Sequence, residues 1–158
     1  MAKKKSSKRP MKPYWTFVND ITYYLKDHFY LHSWTLHVLQ VKNDKTSQND
    51  TNAEVIASMG SDDTYMDATL SLYPLAKRMW KERRCNSLGR AIVHEFCHVI
   101  TDPLYKIACN GICRREGPGL EHTRENTTQH ICNIVMPGID KKIFSPYKNI
   151  RSKRQCIH

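Results

Sequence analysis

The segment His94-Glu95-Phe96-Cys97-His98 holds the residue types and the spacing best suited to chemistry in this chain. On a helix, residues i and i+4 lie one turn apart on a single face. Two imidazoles placed in that way can bind one tetrahedral Zn²⁺ ion together. A glutamate next to the first histidine projects beside the metal, where it can take a proton from water that the ion activates. The spacing therefore assigns His94 and His98 as metal ligands and Glu95 as a general base. A catalytic zinc site uses three protein ligands and keeps one position for water or substrate. One more side chain must come from another element.

The helix predicted over Leu120–Met136 offers Glu121, His122, Glu125 and His130. Its apolar face is marked by Thr128, Ile131, Cys132 and Val135. Glu121 and Glu125 lie within or beside that face, and a buried carboxylate there needs a partner such as a metal. His122 and His130 lie further from it. Glu121 falls in the first turn, where a carboxylate suits the helix dipole. Glu125 has no such reason to be there and is the favoured third ligand, with Glu121 and His122 as the alternatives.

The elements that must position these groups follow from periodicity. Phe17, Ile21, Tyr24, Leu25 and His28 recur at three- and four-residue intervals, which predicts an amphipathic helix from Pro13 to about Phe29–His32. Trp34–Val41 is rich in strand formers, Lys42–Asn52 reads as a loop, and Glu54–Met59 as a short second strand before a turn at Gly60–Asp63. Met66, Ala68, Leu70 and Leu72 alternate with polar residues, which predicts a half-buried strand stopped by Pro74. The basic stretch Lys77–Arg84 connects to the next element. A helix capped by Asn86 or Ser87 is expected to run to about Thr101, where Asp102-Pro103 ends it. Along it Leu88, Ile92, Phe96, Val99 and Ile100 share a core-facing arc, while His94 and His98 share another with Ala91 and Thr101. Residues 103–119 read as irregular, and Pro137-Gly138 as the stop of the last helix. The expected fold is α+β: an N-terminal helix, a three-stranded sheet, the histidine-bearing helix, and a helix carrying the third ligand.

Length and composition set the frame. The chain has 158 residues, enough for one domain with its own core. The boundaries expected are a basic tail over 1–12, a domain over 13–138 and a basic tail over 139–158. No apolar run is long enough for a membrane span. The basic N-terminus lacks the apolar stretch of a signal peptide, so an intracellular, cytoplasmic protein without a membrane partner is expected. The six cysteines are then expected as reduced thiols. Cys97 and Cys132 suit helix interiors, and Cys109 and Cys113 read as ordinary loop thiols.

The net charge is +10. Basic residues cluster at Lys3–Lys12, at Lys77–Arg84 and at Lys141–Arg154, which raises the expectation of salt-sensitive, sequence-independent binding to nucleic acid. Solvated surface is the competing reading.

His94-Glu95-Phe96-Cys97-His98, followed by a helix with Glu125-Asn126-Thr127-Thr128-Gln129, resembles the gluzincin metallopeptidases. Over about residues 14–136 the element order resembles their compact minigluzincin forms, known among short phage and bacterial proteins. The resemblance implies Zn²⁺ as cofactor, a peptide or protein as substrate, and Glu125 as third ligand. It also gives Gln129 the task of supporting His94, where better-known members carry Asp. The Cys97 variant of the motif also resembles SprT-like proteases, which act on DNA-bound proteins. That family uses a histidine as third ligand, here His122, and carries a cysteine-rich zinc ribbon that this chain lacks.

Two function classes follow. In the first, an active zinc peptidase, Glu95 is the base, the strand Met66–Tyr73 is a sheet edge that pairs with extended peptide, and Tyr105 or Tyr147 stabilises the oxyanion. In the second, a non-enzymatic zinc-stabilised module binds nucleic acid. A fourth protein ligand would mark the second class and an open position the first.

Overall fold

The computed structural model describes residues 13–43, 54–111, 118–139 and 143. The basic tail 1–12, most of 139–158 with Tyr147, and Cys113 lie outside the described residues. The fold is α+β, as expected. In chain order it comprises α1 (Tyr14–His28), β1 (Thr35–Gln40), β2 (Ala57–Asp62), β3 (Asp67–Leu72), α2 (Pro74–Lys81), α3 (Cys85–Gly111) and α4 (Pro118–Ile139). Among the described residues no helix is long and apolar enough to cross a membrane.

The strands form one mixed sheet in the order β1-β3-β2. β3 runs parallel to β1 and antiparallel to β2. This corrects the expectation that β3 is an edge. Its alternation is real, with Ala68, Leu70 and Leu72 buried, but both of its backbone edges are paired. Among the described strands, the sheet edge beside the histidine-bearing helix is β2. The second strand also begins and ends later than expected. Gly60, Ser61 and Asp62 pair with Thr69, Ala68 and Asp67, so the turn falls on residues 63–66. Asp62 Oδ1 accepts from the backbone N–H of Thr64 and Tyr65, the local capture that favours Asp at turns. Met66 closes the turn with φ 52°.

The core lies between the sheet and the helices. Phe17, Ile21 and Leu25 of α1, Leu70 and Leu72 of β3, Met79 and Trp80 of α2, and Leu88, Ile92 and Phe96 of α3 are all buried. Phe17 and Trp80 meet with ring centroids 4.8 Å apart. The basic stretch expected to be a connector forms α2, with Pro74 at its start, where the missing N–H costs nothing.

Two prolines expected to stop helices do not. α3 continues through Pro103 to Gly111 and α4 continues through Pro137 to Ile139. A proline inside a helix removes one backbone hydrogen bond and strains the preceding turn. Past Pro103, tertiary contacts hold the helix. Lys106 pairs with Asp63 at 3.1 Å, and the Arg124 guanidinium of α4 lies 5.2 Å from the centroid of the Tyr105 ring. Past Pro137, the completely buried Ile139 anchors the last turn of α4 in the core.

Candidate metal centre

α3 and α4 pack against each other, and α3 also packs on β2. Their polar seam holds the residues singled out by spacing. His94, His98 and Glu125 present ligand atoms that all lie within 4.8 Å of one another. His94 Nε2 is 3.5 Å from Glu125 Oε2, and His98 Nε2 is 3.7 Å from Glu125 Oε1. Donors bonded at about 2.0–2.1 Å to a tetrahedral ion sit roughly 3.4 Å apart. The group is therefore close to the size a zinc ion needs, and its two imidazoles and one carboxylate are zinc-compatible donors. Among the described residues it offers three protein donors, the number of a catalytic site.

The alternatives for the third position lie elsewhere. Glu121 is exposed in the first turn of α4. His122 is exposed and its Nε2 is engaged by Asn126 Nδ2 at 2.9 Å. His130 is exposed as well. None of the three joins the group.

Glu95 points from α3 toward β2, and its Oε2 accepts the Met59 backbone N–H at 3.0 Å. Burial raises its carboxyl pKa to about 7, against the opposing pull of His98 and of the Met59 hydrogen bond. A carboxylate titrating there is matched to proton transfer near neutrality.

The two histidines differ in charge preference. Burial and then the charge of His98 hold His94 below the usual imidazole range, although Glu125 and Gln129 pull the other way. For His98, burial is outweighed by the Asp102 hydrogen bond and by the carboxylates of Glu125, Glu95 and Asp102, so its pKa is raised. His98 Nδ1 lies 3.2 Å from Asp102 Oδ1. That contact orients the ring and leaves Nε2 to face Glu125, an arrangement typical of metal-binding histidines.

Sequence reasoning missed several supporting groups. From sequence, Asp102 stands out only as part of the Asp102-Pro103 helix stop. Its position four residues after His98 is the signal that could have identified it, because the pair shares a helix face. Arg124 donates through a terminal nitrogen to Glu125 Oε1 at 2.8 Å, and its Nε lies 3.7 Å from Asp102 Oδ1. It thus joins the carboxylate beside His98 to the carboxylate of the group. Beneath the histidines, Thr101 and Thr128 share a hydrogen bond of 2.8 Å, and Thr128 Oγ1 lies 3.5 Å from His98 Nδ1.

Gln129 pulls the His94 pKa upward, while its amide nitrogen donates to Asn133 at 3.0 Å. Cys97 turns to the core face, where it shares a hydrogen bond with Cys132. That bond and burial push the Cys97 thiol well above its ordinary range, so it is no competing thiolate. Tyr105 is occupied by Arg124 on the extension of α3.

Compared with protein-family models, with curated proteins and with solved structures, the chain matches none of them. The site therefore has to be read from its own geometry.

Proposed function

We propose that this chain is a zinc-dependent peptidase of gluzincin type, with His94, His98 and Glu125 as ligands and Glu95 as general base. The observation that carries the reading is the convergence of two imidazoles and one carboxylate within 4.8 Å, beside a buried glutamate and a sheet edge that no other described strand pairs with. Zinc held there would polarise a peptide carbonyl and lower the pKa of water.

The chain's own residues supply the rest. Glu95 takes the proton from the attacking water and returns it to the leaving amine. Met59 N–H and the burial of Glu95 set both its direction and its basicity. Strand β2 is the edge along which an extended peptide can add by backbone hydrogen bonding. Asp102 fixes His98, and Arg124 holds Glu125 Oε1, the oxygen on the His98 side, while Oε2 faces His94. Among the described residues, three donors rather than four favour this reading over a purely structural zinc module. The exposed, Asn126-bound His122 gives the SprT-like alternative no third ligand.

The test is Glu95→Gln in the full chain, assayed on an unfolded protein such as casein. The variant should keep zinc, be at least as stable as the parent, and lose hydrolysis by at least a hundredfold, roughly the lower end of what a positioned acid–base group contributes. A variant as active as the parent would overturn the role of Glu95.

A further inference from the structure

At the β1 edge of the sheet, opposite the β2 edge that touches Glu95, the end of β1 and helix α2 border a depression of about 540 Å³. Lys42, Lys77, Arg78 and Lys81 line it, above a floor that includes Val41 and Pro74. The local folding explains why these cations share one side. Ala76, Met79 and Trp80 of α2 are buried in the core, which turns residues i, i+1 and i+4 of the same helix, Lys77, Arg78 and Lys81, outward together. Lys42 reaches the same space from the chain just after β1.

Among the described residues these charges are largely unanswered. Arg78 pairs with Glu54, whereas Lys42, Lys77 and Lys81 have no acidic partner among the described residues. The acidic side chains of the sheet gather at its other end, where Asp62 and Asp67 are partnered across the β2–β3 hairpin and Asp63 lies in its turn. The strands therefore run from a basic end to an acidic end. Cations held close together without counter-charges repel one another, and an anion in the depression relieves that repulsion.

We propose that this basic groove is a sequence-independent binding site for the phosphate backbone of a nucleic acid. A phosphate chain fits better than a small anion, because the cations come from two elements spread around an open depression rather than converging on one point. The net charge of +10 adds a long-range field that draws in a polyanion. Sequence independence follows from what lines the groove. Its amide, Gln40, spends its Nε2 on the Leu72 carbonyl at 2.9 Å. The remaining lining consists of apolar groups, three lysines that act as point charges toward phosphate, and Arg78, whose guanidinium is engaged by Glu54. Phosphate contacts position a nucleic acid, and base-edge contacts specify it. The inference does not depend on the peptidase reading.

The experiment is fluorescence anisotropy of the full chain with a labelled single-stranded oligonucleotide of about 20 nucleotides across a salt series. Three proteins are compared: the parent, Lys77→Glu/Lys81→Glu, and a tail control, Lys3→Gln/Lys4→Gln/Lys5→Gln. Inorganic triphosphate and anionic phospholipid vesicles serve as competing probes. The groove variant should bind at least tenfold more weakly, and the slope of log K against log salt should flatten by about 1.4, near 0.7 for each lost contact to a single strand. The tail control should lose less than the groove variant. Both substituted lysines are exposed, so melting temperature and zinc content should match the parent. If the charge reversal impairs folding, Lys77→Gln/Lys81→Gln gives the same test. Unchanged binding by the groove variant, loss confined to the tail control, no binding at low salt, or binding only to triphosphate or vesicles would each overturn the proposal.

Discussion

Helix α3 has two faces, and the chain treats them in opposite ways. Toward α1, α2 and the sheet, α3 presents Leu88, Ile92 and Phe96 to an apolar core shared with Phe17, Leu70 and Trp80, with Glu95 as the polar contact at its β2 margin. Toward α4, it presents His94, His98, Thr101 and Asp102 to Arg124, Glu125 and Thr128. The first contact is what a helix needs to fold. The second is costly, since buried polar groups stabilise only when they find partners. Here the side chains find partners, although Arg124 Nε itself makes no hydrogen bond, and they converge on a point where three donors face each other. The apolar face fixes α3, and the polar face uses that fixed helix to hold a set of groups that folding alone does not require.

The largest expected effect breaks the apolar side. Phe17 is fully buried against Trp80, so Phe17→Ala should cost about 3–5 kcal/mol, read by urea unfolding. It should abolish zinc binding only under conditions where the chain unfolds. A cost below about 1 kcal/mol would show that the apolar face is not the one holding α3.

The next effect concerns the polar seam. Arg124→Ala and Asp102→Asn each remove a group that orients a ligand without being one. Zinc affinity should fall roughly 10–100-fold in each, about 1.4–2.8 kcal/mol, in isothermal titration. Stability of the metal-free protein should change little. Equal affinity in both variants would reduce the network to surface decoration.

A pH test separates the two faces directly. The folded-state pKa of Glu95 is raised to about 7 from 4.5. The folded protein therefore holds a proton that the unfolded chain releases between those values. The stability linked to that proton is complete below pH 4.5 and is lost as the pH rises through about 7. Metal-free Glu95→Gln should be more stable than the parent at pH 8 by roughly 1–3 kcal/mol, and the gap should close toward pH 4. A parent that is the more stable at pH 8 would mean that Glu95 supports the fold.

The smallest effect is Thr128→Val. The swap keeps the volume and removes the Thr101 hydrogen bond of 2.8 Å. Thr101 still donates to the Cys97 carbonyl at 3.3 Å, so the cost should be about 1 kcal/mol by thermal unfolding, with zinc content unchanged.

The same contrast explains what the amino-acid sequence could and could not reveal. α1, β1 and the alternation of β3 were legible because apolar periodicity reports which face is buried. The place of β3 in the middle of the sheet was not, because backbone pairing leaves no mark on a strand's own residues. β2 was misplaced because Gly60, Ser61 and Asp62 have turn chemistry but pair by main chain. Pro103 and Pro137 carried strong local signals that tertiary contacts overrode. At the site, His94 and His98 were legible from an i, i+4 spacing, and Glu125 from a carboxylate on an apolar face. Asp102 had the same i, i+4 spacing from His98 but sits before a proline, and that second signal hid the first. Arg124 and Thr128 carry no pattern of their own, since their roles exist only where α4 meets α3.

The most direct test of the central claim is zinc K-edge X-ray absorption on the zinc-loaded full chain. Two imidazole nitrogens and light oxygen donors at about 2.0–2.2 Å, with no sulfur, are expected. In Glu125→Ala one oxygen donor should be lost or replaced by water and the affinity should drop. A sulfur shell near 2.3 Å, or a first shell unchanged when His94 and His98 are both replaced by alanine, would contradict the account.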